Sequence, residues 1–221
     1  MKPTIALIHA SRAAVDLVTV YYSQQAPEYE LVNLLDDGVM RVLGAEDQSA
    51  ARRRLGAMLR TAREEYSAAL AVLTCSAVTR ETLAALREAA GYPILKIDEP
   101  IARRAVDACS RIGVLATFPP TLATMRHLLE DAAQECGKNV EILEELAADA
   151  LKALLSGDVA RHDACLLASV ERLAARSPDA IVLAQVSMAR LAGEAARRAG
   201  RPVFSSLETS LAEVRRILAA S

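Results

Sequence analysis

The chain repeats itself. The run Leu70-Ala-Val-Leu-Thr-Cys75-Ser recurs as Ala180-Ile-Val-Leu-Ala-Gln185-Val, and each copy leads through a helical stretch to Gly-x-Pro, at Gly91-Tyr-Pro93 and Gly200-Arg-Pro202. A further apolar run follows in each copy, and both end in a glutamate, Glu99 and Glu208. The opening Ile5-Ala-Leu-Ile has its own counterpart, Ile112-Gly-Val-Leu. Two similar halves predict two similar folded units with one cleft between them, built from equivalent strand ends. The copies differ at a chemically telling place. Cys75 offers a thiol where the second half offers only the amide of Gln185.

Short apolar runs alternate with longer segments of helical period, the pattern of parallel sheets flanked by helices. The strands expected in the first half are Thr4–Ala10, Tyr29–Leu35, Leu70–Cys75 and Ile94–Asp98. In the second they are Arg111–Thr117, Val140–Leu146, Ala180–Gln185 and Val203–Leu207. Ala50–Ser67 carries an apolar stripe of Leu55, Met58, Leu59 and Ala62, and His162–Arg176 is its counterpart. Asp36–Gln48 is the least regular stretch and reads as a loop or a lid. The fold class is therefore α/β, with two pseudo-symmetric parallel-sheet domains. The first spans 1–98 plus 208–221, with the last helix, Thr209–Ala220, returning to it; the second spans 99–207.

Composition narrows the function. A formal net charge of −2 gives no global field toward nucleic acid or an acidic membrane. Arginine clusters such as Arg52-Arg53-Arg54 and Arg215-Arg216 read as solvated helix faces, and 3% aromatic content with no Trp supplies no base-stacking platform. The opening segment reads as a first strand, too short for a signal region, and nothing else suggests a membrane partner. The four cysteines, 75, 109, 136 and 165, lack metal-ligand spacing, and only three histidines accompany them, so no metal is expected. A chain of this size needs no disulfide, which suits a reducing cytoplasm. Alanine-rich helices such as Ala50–Ser67 suit either a homodimer or higher homo-oligomer interface or the core.

Ligands of open parallel α/β sheets bind beyond the carboxyl ends of the strands. That rule selects His9-Ala10-Ser11, Cys75-Ser76, Thr117-Phe118 and Gln185-Val186-Ser187. Cys75 ends an apolar strand just before an expected helix start, where the positive end of the helix dipole favours a thiolate. Such a thiolate can act as a nucleophile or draw a proton from carbon. Cys109, Cys136 and Cys165 read instead as small buried hydrophobes. Ser76, Thr117 and Ser187 can donate to a carboxylate or simply cap helices. His9 is either an acid/base partner for Cys75 or a satisfied strand-end histidine. The amide of Gln185 can donate a hydrogen bond but takes no proton at neutral pH. Glu99 and Glu208 read as first-turn helix acids.

Three segments, Val72-Leu-Thr-Cys75-Ser-Ala, Arg111-Ile-Gly-Val-Leu-Ala-Thr117 and Ile181-Val-Leu-Ala-Gln185-Val-Ser-Met-Ala, resemble the aspartate/glutamate racemase superfamily, with its hydantoin racemase, maleate isomerase and arylmalonate decarboxylase relatives. The resemblance covers nearly the whole chain. It implies cofactor-independent chemistry beside a carboxylate, with two cysteines serving opposite faces of the substrate carbon in the two-thiol members. By that likeness Cys75 matches the first catalytic cysteine, and Gln185 occupies the place of the second. Ser76 stands where many members carry a substrate-binding asparagine, Thr117 matches a carboxylate-binding threonine, and His9 matches a strand-end aspartate. Arylmalonate decarboxylases resemble a one-thiol arrangement with the cysteine in the second half, so this chain is the mirror case.

The implied partner is a small carboxylate-bearing substrate. One reading is a racemase or epimerase in which Cys75 serves one face and His9, or a water held by Gln185, the other. A second is a one-thiol decarboxylase or a maleate-like cis–trans isomerase. A third is a small-acid binding protein that has lost turnover.

Overall fold

A computed structural model describes residues 2–45 and 47–220. The chain divides into two compact units, Met1–Ile97 with Leu207–Ser221, and Asp98–Ser206. Each contains one four-stranded parallel sheet with helices beside it.

In the first unit the strands are β1 (Thr4–His9), β2 (Glu30–Leu35), β3 (Leu70–Leu73) and β4 (Ile94–Lys96), in the order β2-β1-β3-β4. The helices are α1 (Arg12–Gln25), α2 (Ser49–Glu64), α3 (Arg80–Ala90) and, from the chain end, α9 (Ser206–Ala219). The two central strands read as continuous apolar runs because both of their faces are covered, as parallel sheets require. Every residue of β3 is buried, and all but the first of β1. The edge strand β2 is less covered, with Glu30, Asn33 and Leu35 exposed between partly buried residues. Tyr22 of α1 is fully buried and donates to Ser210 Oγ of α9 at 2.9 Å, while Arg215 pairs with Glu28. These contacts seat the last helix in this unit. Arg52, Arg53 and Arg54 do lie on an exposed face of α2.

The second unit has β5 (Arg111–Ala116), β6 (Glu141–Leu146), β7 (Ala180–Leu183) and β8 (Val203–Phe204), in the order β6-β5-β7-β8. Its helices are α4 (Glu99–Ala108), α5 (Pro119–Glu135), α6 (Ala148–Leu155), α7 (Val159–Ala174) and α8 (Ala192–Ala199). One apolar cluster joins α4 and α5 to the sheet through Ile101, Val106, Met125 and Leu129. Another joins α6 and α7 to it through Ala150, Leu166, Val170 and Leu173. A Cβ on Gly113 of β5 would lie 3.0 Å from Leu173 Cδ2 and 3.3 Å from Ile181 Cγ1. Close approach of α7 to the sheet is what requires glycine there.

The repeated Gly-x-Pro is a helix stop. Gly91 and Gly200 follow α3 and α8 with φ of 67° and 60°, the left-handed conformation that glycine adopts without a Cβ penalty. Each expected strand forms, although most end one to three residues before the apolar run does. The shortened ends leave Cys75, Thr117 and Gln185 beyond the strands.

Asp36–Gln48 forms a loop with a 3-10 turn at Asp37–Arg41, and it is tied at both ends. Asp36 accepts from Gly38 N and from the Arg54 guanidinium, which holds its carboxyl below the usual carboxylate range. Glu46 lies outside the described residues. No helix among the described residues is long and apolar enough to cross a membrane, and no cluster of three or more His, Cys, Asp or Glu among them could hold a metal ion.

Candidate active-site loops

The candidate residues sit at the ends of the two central strands in each unit. Those ends are β1 and β3 in the first unit and β5 and β7 in the second.

In the first unit β3 closes at Leu73, and Thr74–Thr79 runs as a buried loop into α3. Cys75 is only 7% exposed, and Ser76 is buried beside it. Helix α3 begins at Arg80, capped by Thr79, whose Oγ1 accepts from Thr82 N. The helix thus starts five residues past Cys75. This corrects the expectation that the thiol sits at a helix N-terminus, because the dipole effect fades within the first turn. Positive charge reaches the loop from elsewhere. Lys96 of β4, 2% exposed, donates from Nζ to the Ser76 carbonyl at 3.1 Å.

Gln48 holds the same loop from the other side. Its Nε2 donates to the carbonyls of Leu43 and Ala77, each at 3.0 Å, and its Oε1 accepts from Thr79 N at 3.1 Å. The contacts to Ala77 and Thr79 satisfy backbone groups in a stretch that belongs to no ladder or helix. Beside it opens a cavity of about 370 Å³, lined by Asp47, Gln48, Ser49, Arg52, Thr79, Glu81 and Thr82.

His9 is committed to the sheet rather than poised in a cleft. It is fully buried, with Nδ1 3.0 Å from Thr74 Oγ1 and Nε2 2.9 Å from Asn33 Oδ1. With Asn33 Oδ1 as the acceptor at Nε2, that nitrogen carries the proton, and Nδ1 faces the Thr74 hydroxyl, whose one proton also has the Ile8 carbonyl as an acceptor at 3.1 Å. Burial lowers its pKa from the ordinary 6.5, opposed by the Asn33 hydrogen bond. This corrects the expectation of His9 as an acid/base partner of Cys75: both ring nitrogens are occupied by neighbours within the unit. Ser11 is the half-buried N-cap residue of α1, and its hydroxyl makes no cap hydrogen bond.

In the second unit Thr117 and Gln185 meet. Gln185 Oε1 accepts from Thr117 N at 2.7 Å and from Thr117 Oγ1 at 2.9 Å. A backbone N–H can only donate, which fixes the amide orientation and makes Nε2, a pure donor, its other end. The donors that the family resemblance assigns to a substrate carboxylate are therefore bonded to Gln185. Thr117, which the resemblance matches to a carboxylate-binding threonine, thus has its hydroxyl engaged within its own unit. Phe118 is the N-cap residue of α5 and is half-buried. Ser187 lies within a 3-10 turn, Val186–Leu191, that follows Gln185 directly.

The other thiols stand apart. Cys109 ends α4, with burial raising its pKa; Cys165 lies within α7; and Cys136 is exposed, which corrects its reading as a buried hydrophobe. None of the four cysteines forms a disulfide among the described residues. Glu99 and Glu208 occupy first helical turns, in α4 and α9.

Sequence reasoning passed over Lys96, Gln48, Asn33 and Thr74. Only Lys96 left a signal, a lone charge inside the apolar run Ile94-Leu-Lys-Ile97. The partners of the other three become visible only once strands and loops are side by side.

No curated protein matches the chain. Among solved structures it is similar to a glutamate racemase isoform from Bacillus anthracis, with a TM-score of 0.80, 20% identity, and coverage of 100% of this chain and 83% of that one. It is also similar to an allantoin racemase from Klebsiella pneumoniae, with a TM-score of 0.71, 22% identity, and coverage of 99% and 88%. A Gly74Cys mutant of arylmalonate decarboxylase follows, with a TM-score of 0.65, 19% identity, and coverage of 98% and 94%. At such identities the likeness shows a shared fold. Residues 8–214 match the Asp/Glu/Hydantoin racemase family, and with that match spanning nearly all of its length, the chain belongs to this family.

Proposed function

We propose that the protein is a cofactor-independent isomerase-type enzyme acting at the carbon next to a carboxylate of a small acid, with Cys75 as its one thiol acid/base. The observation that carries this reading is the anchoring of Gln185. Its carbonyl is held by both donors of Thr117, so an oriented amide stands where a second thiol would be. An amide neither gives nor takes a proton at neutral pH, but its N–H can stabilise a carboxylate or a developing enolate.

The chemistry follows. The Cys75 thiolate takes the α-proton, and the electrons of the broken C–H bond pass into an enolate spread over the carboxylate. Return of the proton from Cys75 restores the starting configuration, whereas a proton from water on the opposite face inverts it, and Cys75 then gives its proton to the hydroxide left behind. A one-thiol decarboxylation uses the same parts. There a C–CO2 bond breaks, the electrons enter the enolate, and the Cys75 thiol supplies the proton. Glutamate and allantoin racemases and an arylmalonate decarboxylase among the similar structures support keeping both outcomes.

Proton NMR of candidate acids in deuterium oxide, with a chiral assay of the same samples, tests the proposal. Exchange at the α-carbon that disappears in Cys75→Ser supports it, and the chiral assay separates inversion from one-faced exchange. A protein that binds such acids yet exchanges no proton and releases no carbon dioxide is a binding protein, and the enzyme reading fails.

A further inference from the structure

A fully buried lysine demands an explanation. Removing an ammonium from water is costly unless compensating groups surround it, so lysine is among the residues least often found inside. Lys96 is buried in a strand otherwise made of Ile94 and Leu95. The β3–β4 register pairs it with Leu73, two residues before Cys75, and Ile97 N continues the ladder to Leu73 O. Its Nζ donates to the carbonyl of Ser76, the residue after Cys75. Covalent geometry then keeps the ammonium within about 10 Å of the Cys75 Cα.

We propose that Lys96 is a positioning residue for Cys75: its buried ammonium, bonded to the Ser76 carbonyl, holds the thiol-bearing loop and supplies the positive charge that favours the thiolate. This rests on the reading of Cys75 as the acid/base. It fills the role that a helix N-terminus would otherwise play, because α3 starts too late to reach the thiol. The other charged groups on the flanking helix α3, Arg80, Glu81, Arg87 and Glu88, are exposed, where solvent screens them. His9 on β1 is buried in its neutral form. Asp98, two residues beyond Lys96, is a buried carboxylate, and Lys96 is the buried cation among these groups, so the Lys96 variants read its own contribution against that fixed background.

The test is the pH profile of Cys75 alkylation by iodoacetamide, with the labelled peptide identified so that Cys109, Cys136 and Cys165 do not contribute. Lys96→Gln keeps a donor for the Ser76 carbonyl but removes the charge, and Lys96→Met removes both. A unit charge about 10 Å away at an effective dielectric near 20 corresponds to about one pH unit, so both variants should raise the alkylation midpoint by about that much. Lys96→Arg should hold it near the wild-type value. A wild-type midpoint in folded Lys96→Gln overturns the proposal.

The wild-type protein gives a second reading that needs no substitution at Lys96. Its side-chain nitrogen resonance should show an inflection at the Cys75 midpoint, absent in Cys75→Ser, and a resonance without that inflection also overturns the proposal. Alkylation reads the thiol whether or not any acid is turned over. A shifted midpoint in a protein without α-proton exchange sinks only the enzyme reading. An unshifted one in a protein whose exchange depends on Cys75 sinks only the role of Lys96.

Discussion

The ends of the central strands in the two units share a framework and differ in almost every chemical detail. By register, Ile8 pairs with Leu73 and Leu115 pairs with Leu183, so Ala10 and Cys75 stand in the first unit where Thr117 and Gln185 stand in the second. Thr117 brings two donors to Gln185 and pins its carbonyl. Ala10 brings no side-chain donor at all. The first unit holds its loop from beneath and behind instead, through Lys96 on Ser76 and Gln48 on Ala77 and Thr79. Duplication conserves what the sheet needs. Past the last ladder bond that constraint lifts, and the two loops have acquired different chemistry.

The contrast between thiol and amide carries the largest expected effect. Cys75→Ser should lower α-proton exchange by about 10²–10⁴-fold, the usual contribution of a positioned acid or base. Gln185→Ala should cost less in rate and leave Cys75 alkylation unaltered. Equal losses from the two substitutions, measured as exchange rates in deuterium oxide, would erase the distinction between the units.

The sheets can be compared through one position. Gly113 in β5 is the counterpart of Ala6 in β1, and only the former has a helix side chain against its missing Cβ. Gly113→Ala should destabilise by about 1–3 kcal/mol through overpacking. Ala6→Gly should cost roughly 0.5–1 kcal/mol through lost backbone restriction. Urea denaturation midpoints measure both, and a neutral Gly113→Ala would contradict the close approach of Leu173.

The loop clamp comes next. Gln48→Ala leaves the Ala77 carbonyl and the Thr79 N–H without their side-chain partner, which should cost about 1–3 kcal/mol in the same assay. It should also speed proteolysis between Thr74 and Thr79. Protease resistance equal to wild type would mean that Lys96 alone suffices to hold the loop.

The smallest effect is one of pH. Because burial holds the folded His9 below 6.5, the unfolded chain binds more protons there, and stability contributed by the neutral ring is present above pH 6.5. It is lost as the pH falls from 6.5 toward the folded value. Ala116, the counterpart of His9 in the second unit, has no such response. His9→Gln should flatten the dependence of unfolding free energy on pH in that window, and an unchanged slope would assign the effect to other groups.

Much of this was legible in the sequence because it depends on patterns of short range. Continuous apolar runs marked the central strands, broken or shorter runs marked the edge strands β2, β6 and β8, and the repeated Gly-x-Pro marked two helix stops that need a left-handed residue. The family match spans residues 8–214. Cys75 and Gln185 stood out because a repeat makes a difference visible.

What the sequence could not show is where each polar group spends its hydrogen bonds. His9 read either as an acid/base or as a satisfied strand-end histidine until the register set it beside Thr74 and within reach of Asn33, two partners distant in the chain. Thr117 read as a carboxylate donor or a helix cap until Gln185 took both of its donors. Lys96 was one charge in an apolar strand until β4 docked against β3 and turned its ammonium toward the Ser76 carbonyl. The sequence by itself determined the two units and their strands, because burial of apolar surface is read from periodicity alone. The tertiary structure decided which polar side chains are held and by which partners, because a hydrogen bond depends on distance and direction between residues that only folding brings together.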